Sequence, residues 1–178
     1  MHNHPDIAIR HLSSRDLTLA CQITRDAYRQ NFAHHWQEGG LEEYVEAVFG
    51  TAVLAEALTD PSLQYHVAFA GGIPVAFMKL RLFSNLPDLD PEKGIELDKL
   101  YILPGYQGLK LGHQMLDLAL GIAREMQKQV FWLAVIDTNT KAIAFYEKAG
   151  FRRHSPMRVG YPKFREELKG MWRMWLEM

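Results

Sequence analysis

The hydrophobic positions of this chain recur with two periods, and each change of period marks an element. Residues 7–10, Ile-Ala-Ile-Arg, read as a short first strand. Ser13 or Ser14, followed by Asp16, signals a helix start, and Leu17, Cys21, Ala27, Tyr28 and Phe32 then set a helical face against a core. His34, His35 and Trp36, with Gly39 and Gly40, break that pattern. A second helical region carries Tyr44, Val45, Val48, Phe49, Leu54 and Leu58 before Thr59-Asp60-Pro61. Residues 65–70 and 73–80 are apolar runs flanking Gly71-Gly72, which predicts a hairpin; Pro74 near a strand start removes only one N–H. Residues 85–94 form a polar, proline-bearing loop.

Residues 94–121 organise the rest. Ile95 and Leu97 alternate with Glu96 and Asp98, but the next apolar pair, Leu100 and Ile102, has slipped from odd to even positions. One extra residue restores all four to one face, so a β-bulge is predicted near Asp98 or Lys99. Pro104-Gly105 ends the strand. From Leu111 the period is helical, through Met115, Leu118, Ile122 and Met126. The run 130–135, Val-Phe-Trp-Leu-Ala-Val, suits a strand covered on both faces. Asp137-Thr138-Asn139-Thr140 is helix-cap chemistry, residues 141–148 are a short helix, and Gly150 stops it. Phe151 opens another strand, residues 163–169 read as a polar linker, and 171–177 alternate as the last strand. The order predicts one mixed α/β domain spanning residues 1–178.

Composition narrows the partners. With 178 residues and 48% hydrophobic content, the chain suits one domain with a sizeable core. A net charge of −1 favours neither nucleic acid nor a membrane surface. No apolar run is long enough to span a bilayer, and Met-His-Asn-His-Pro lacks a signal-peptide core. The one cysteine, Cys21, has no internal disulfide partner and fits packing better than nucleophilic chemistry; a cytoplasmic location is expected. His34 and His35 are adjacent, lack the i, i+4 spacing of a helical metal site and have no carboxylate cluster beside them, so they read as an exposed loop pair. His2 and His4 fall on a terminus expected to be mobile. No metal is expected.

The candidate chemistry sits at the strand-to-helix turn. Gln107, Gly108, Leu109, Lys110, Leu111 and Gly112 form a glycine-bearing loop that opens a helix, leaving several N–H groups unpaired and pointing one way. That arrangement suits an anion such as phosphate, although many such turns bind nothing. The stretch resembles the acyl-CoA-binding motif of GNAT-type N-acetyltransferases, Gln/Arg-x-x-Gly-x-Gly/Ala, preceded by a bulged strand. Gln107 and Gly112 match its ends. Lys110 stands where the family usually carries its first glycine, which demands either a narrower loop or a left-handed lysine. A second segment, Asn139-x-x-Ala142-x-x-Phe145-Tyr146-x-x-x-Gly150-Phe151, resembles the family's Asn-x-x-Ala-x-x-Phe-Tyr-x-x-x-Gly-Phe. Alone, Phe145-Tyr146 reads as core packing; both motifs in the right order carry the resemblance across nearly the whole chain.

The resemblance implies a mostly antiparallel sheet splayed at the bulge, with helices on both faces. It implies acetyl-CoA as cosubstrate, with its pantetheine arm against Leu100, Tyr101 and Ile102 and its pyrophosphate in the loop 107–112. An alkylamine acceptor is mostly charged at neutral pH, so a general base is needed. Glu96 stands where family members often place a glutamate, with Asp98 or a water chain as rivals. Tyr146 is placed to protonate the departing thiolate, and Asn139 to hold the pantetheine, cap its helix, or both. The N-terminal helices and the ending 160–175 look similar to a bacterial branch that includes polyamine acetyltransferases. The acceptor is therefore expected to be a small-molecule amine. A protein N-terminus or lysine, and a catalytically silent acyl-CoA-binding module, are the competing readings. A homodimer is left open. A nucleotide-binding domain is weaker, since Gly-Lys-Ser/Thr and a full dinucleotide fingerprint are both missing.

Overall fold

The computed structural model describes residues 5–178, so His2 and His4 lie outside the described residues. Seven strands form one sheet in the order β1 (Ile7–His11), β2 (Leu63–Ala70), β3 (Ile73–Arg81), β4 (Gly94–Ile102), β5 (Val130–Ile136), β7 (Gly170–Glu177), β6 (Arg152–Arg158). Every neighbouring pair is antiparallel except β4 and β5, which run parallel. The fold is a single α/β domain.

Helices cover both faces. α1 (Leu17–Phe32), α2 (Gly40–Phe49) and α3 (Thr51–Ala57) pack on one; α4 (Leu111–Glu125) and α5 (Thr140–Lys148) pack on the other. The two-residue strand period serves both cores: on β3, Phe77 joins the first and Met78 the second. Phe49, Phe77 and Phe131 are wholly buried, and each such side chain contributes about 1.5–3 kcal/mol.

Local chemistry sets the element ends. Before α1, a single 3-10 turn, Ser14–Asp16, is closed by a capping box. The Asp16 carboxylate accepts from Ser13 N at 2.8 Å, and the Ser13 hydroxyl accepts from Arg15 N at 3.3 Å. Asn139 Oδ1 accepts from Ala142 N at 3.1 Å and starts α5.

Two expectations fail for the same reason. His35, expected in an exposed loop, is buried beside Phe32 and Phe164, with ring centroids 5.2 and 5.6 Å away. The segment 163–169, expected as a polar linker, buries Phe164 and pairs it with Trp36 in an isolated bridge. Each segment is polar by composition, and each is pulled inward by the other's aromatic ring.

Candidate active site

The sequence slip on β4 is a bulge. Lys79 pairs with Lys99, but the next pair is Leu80 with Leu97, so Asp98 is the extra residue. Two lysines directly opposite on neighbouring strands repel. The bulge inserts a carboxylate between them: Asp98 Oδ2 is 2.8 Å from Lys79 Nζ and Oδ1 is 2.8 Å from Lys99 Nζ. Arg81 Nε adds a third cation at 3.0 Å. Burial opposes ionisation of Asp98, but Lys99, Lys79 and Arg81 together outweigh it and hold the carboxyl well below its usual range.

The bulge also ends the parallel ladder. β4 pairs with β5 only from Gly94–Val130 to Leu97–Leu133, and beyond that the strands part. Leu103 N donates to Val75 O on β3 at 2.8 Å. Because backbone groups alternate along a strand, those of Tyr101 also face β3 while those of Leu100 and Ile102 face the gap. The Ile102 carbonyl is already engaged by Asn31 Nδ2 at 3.0 Å. The Tyr101 ring lies on the α1 face instead, packed on Phe32 and Phe77 with centroids 4.7 and 5.4 Å apart.

At the far end of the gap, α4 begins. Lys110 is its N-cap, in the left-handed region at φ 57°, ψ 18°. The lysine therefore adopts the conformation a glycine would give at that position, at a backbone cost of about 1–2 kcal/mol. Gly108, at φ +107°, takes the same side of the map. Among the described residues, the amides of Gln107, Gly108, Leu109, Lys110, Leu111, Gly112 and His113 make no hydrogen bond within the chain. This run of free donors at a helix N-terminus fits a pyrophosphate. A Cβ on Gly112 would lie 3.5 Å from Phe145 Cζ and 3.7 Å from Ile102 Cδ1, so the glycine keeps the mouth of the gap narrow but open.

A cavity of about 310 Å³ occupies the gap and the α1–α2 side of β4. Glu96, Asp98, Asn139 and Tyr146 all line it, from β4 and from α5 and its cap. Glu96 Oε2 accepts from Ser84 Oγ at 2.8 Å, with Arg81 Nε 3.7 Å away. Burial, then the charge of Asp98, raise its pKa above the ordinary glutamate value. The Tyr146 ring packs on Phe145 and Phe151, and the residue is buried at the cavity wall. Burial raises its pKa, so it stays a phenol.

Several cavity residues were not singled out in the sequence. Tyr28, Tyr44 and Tyr161 wall its α1–α2 side, with Tyr44 stacked 4.5 Å from Tyr28 and edge-on 4.8 Å from Tyr161. Lys99 joins them from the bulge. Tyr28 and Tyr44 sat in plain view on helical stripes, but periodicity reads such rings as core. Among the described residues, no cluster of three or more His, Cys, Asp or Glu side chains is grouped to hold a metal. Among the described residues, no helix is long and apolar enough to cross a membrane.

A mixed sheet splayed at a bulge, with an amide-lined helix start beside the splay, is the arrangement that the resemblance to GNAT-type N-acetyltransferases implied. The Acetyltransferase (GNAT) family profile matches residues 21–151, and the chain belongs to that family. It is 25% identical over 150 residues to an uncharacterized N-acetyltransferase of Lactobacillus delbrueckii subsp. lactis, covering 84% of this chain and 86% of that one. In fold it is similar to the PaiA N-acetyltransferase of Thermoplasma acidophilum, solved with coenzyme A: TM-score 0.76 at 21% identity, covering 97% and 99% of the two chains. It is also similar to the spermidine N-acetyltransferase of Vibrio cholerae, with TM-score 0.67 at 15% identity, covering 96% and 93%. The protein is thus an N-acetyltransferase by family.

Proposed function

We propose that the protein acetylates the primary amine of a small molecule by direct attack on acetyl-CoA, with Glu96 as general base and Tyr146 as general acid. One observation carries the reading. A carboxylate with a raised pKa and a phenol that burial keeps protonated line the same cavity, beside the backbone groups that suit the cosubstrate. Bound acetyl-CoA supplies the activated acyl group. Leu100 and Ile102 offer backbone to its pantetheine, and the amides 107–113 hold its pyrophosphate. Glu96, directly or through a water, removes the proton an ammonium carries at neutral pH. Its raised pKa brings it closer to the amine it must deprotonate than an ordinary glutamate. Tyr146 donates its proton to the thiolate as that group departs. Asn139 holds α5, and so Tyr146, in place through its cap. Asp98, bound to three cations, is a poor base and instead neutralises the bulge.

The polyamine expectation has support only at the level of fold, from the likeness to the spermidine enzyme of Vibrio cholerae. A thiol-release assay with acetyl-CoA against a panel of small amines tests the reading. Release with at least one amine, lost in Glu96→Gln, supports it. Tight acetyl-CoA binding with no release from any amine would leave the silent acyl-CoA-binding module instead.

A further inference from the structure

The acidic groups around the cavity are already committed. Among the described residues, the charged side chains lining it are Glu96, Asp98 and Lys99, with Lys79 and Arg81 behind them on β3. Both oxygens of Asp98 are taken by these cations. The lining itself carries two carboxylates and one cation; Asp98 is spent on Lys79, Arg81 and Lys99, and Glu96 has the proposed proton-accepting role. No acidic group is left over for a second ammonium on the acceptor. A diamine or polyamine bound here would place a buried positive charge among Lys79, Arg81 and Lys99 without compensation, which is strongly unfavourable.

Lys99 has the opposite aptitude. Its side chain is 10% exposed, and the residue lines the cavity. An ammonium has three donors, and the protein engages one, on Asp98 Oδ1. The neighbouring walls are phenols. Tyr28 and Tyr44 are held protonated by burial, and with one hydroxyl bonded to the other, one O–H of the pair is left to donate. An ammonium with donors to spare, beside a hydroxyl donor and shielded from water, matches a carboxylate.

We infer that the acceptor is an amine that also carries a carboxylate, held by Lys99 while its amino group faces Glu96. This rests on the reading that the cavity is the acceptor site of an acetyl transfer. The aromatic and aliphatic walls, Phe32 and Met157 among them, give an apolar side chain between the two polar ends a place to pack.

The test uses the CoA-saturated protein and calorimetric titration with glycine, leucine, phenylalanine and glutamate, each against its α-carboxamide, and with spermidine. At least one carboxylate is expected to bind about tenfold or more tightly than its amide, as a charge-assisted hydrogen bond implies. Lys99→Met should erase that preference while CoA still binds, and Lys99→Arg should keep part of it. Should Lys99→Met fail to fold, the comparison of carboxylate with amide on the unaltered protein decides alone. Equal or tighter binding of every amide, or of spermidine, overturns the inference. CoA binding without carboxylate preference removes this inference only; no CoA binding removes the acetyl-transfer reading as well.

Discussion

Arg81 Nε stands 3.0 Å from Asp98 Oδ2 and 3.7 Å from Glu96 Oε2, so one guanidinium serves two carboxylates of opposite character. The nearer is locked as an anion by Lys79 and Lys99 as well. The farther takes a hydroxyl hydrogen bond from Ser84 and retains a raised pKa. Two acidic residues of one strand are thereby sorted into a locked anion and a carboxyl with a raised pKa.

Glu96→Gln is expected to lower kcat/KM by at least about 100-fold, the usual scale of general-base catalysis, and to abolish the acid limb of its pH profile. The sign follows from the raised pKa: the base is protonated, and the rate falls, as pH drops through a value above that of free glutamate. Asp98→Asn should act on folding instead. It leaves two buried lysines without their anion, at a cost of about 3–5 kcal/mol in chemical unfolding. The reverse pattern, a stable but inactive Asp98→Asn and an active Glu96→Gln, would falsify the assignment.

Tyr146→Phe keeps the ring against Phe145 and Phe151 and removes only the hydroxyl. A fall in kcat of about 100-fold is expected, with acetyl-CoA affinity and melting temperature little changed. A drop in melting temperature with kcat retained would make the tyrosine a packing residue.

Gly112→Val places branched carbons in the mouth of the gap beside Ile102 and Phe145. Acetyl-CoA should bind at least about tenfold more weakly, roughly 1.4 kcal/mol, in a protein that still folds. Gly112→Ala meets only ordinary contact distances and should lose less. Unchanged affinity in Gly112→Val would take the loop out of the binding site.

Lys110 tests the same loop from the stability side. Its left-handed backbone is strained for any side chain, and most for a branched one. Lys110→Val should destabilise the fold by about 1 kcal/mol or more, while Lys110→Gly should leave stability equal or higher. Thermal melts of the two variants side by side decide it.

Acid should unfold the protein through two histidines. Burial, with His34 beside His35 and His11 beside His66, lowers both pKa values from 6.5 to about 4. Between those limits the unfolded chain binds protons that the native chain refuses, so stability is full above pH 6.5 and falls as pH is lowered toward 4. Each histidine contributes up to about 1.4 kcal/mol per pH unit crossed. Glu96 acts with the opposite sign just above its ordinary value, so His66→Phe is the cleaner variant. Urea melts at pH 7.5 and 5 should differ less in His66→Phe than in the parent.

The elements and the bulge were legible because they leave periodic marks: the odd-to-even slip from Leu97 to Leu100 placed the bulge at Asp98 or Lys99, and the pairing makes Asp98 the extra residue. The loop 107–112 and the Phe145-Tyr146 helix were legible through order and spacing. Lys99 was not, because a lysine on a strand reads as solvent-facing until Lys79 is seen across from it and Asp98 between them. The tyrosine wall was hidden for the converse reason: Tyr28 and Tyr44 look like ordinary core, and only the approach of Tyr161 from beyond β6 turns them into a cavity lining. Long-range pairings of this kind, like Trp36 with Phe164, have no local signature.

The four-residue parallel seam between β4 and β5 has a consequence for the protein's lifetime in the cell. Past Leu97 and Leu133, two strands in the middle of the sheet behave as borders, with backbone groups that neither neighbour satisfies. The pantetheine arm would act there as a surrogate strand, and the sheet is whole only when it is loaded. Ligand that binds the native state alone adds stability in proportion to the logarithm of its concentration. Molecules without the ligand would then open more often and be more exposed to proteases. The abundance of this protein should therefore follow the acyl-CoA pool, rising when the cosubstrate is plentiful and falling when it is scarce, with no transcriptional control required.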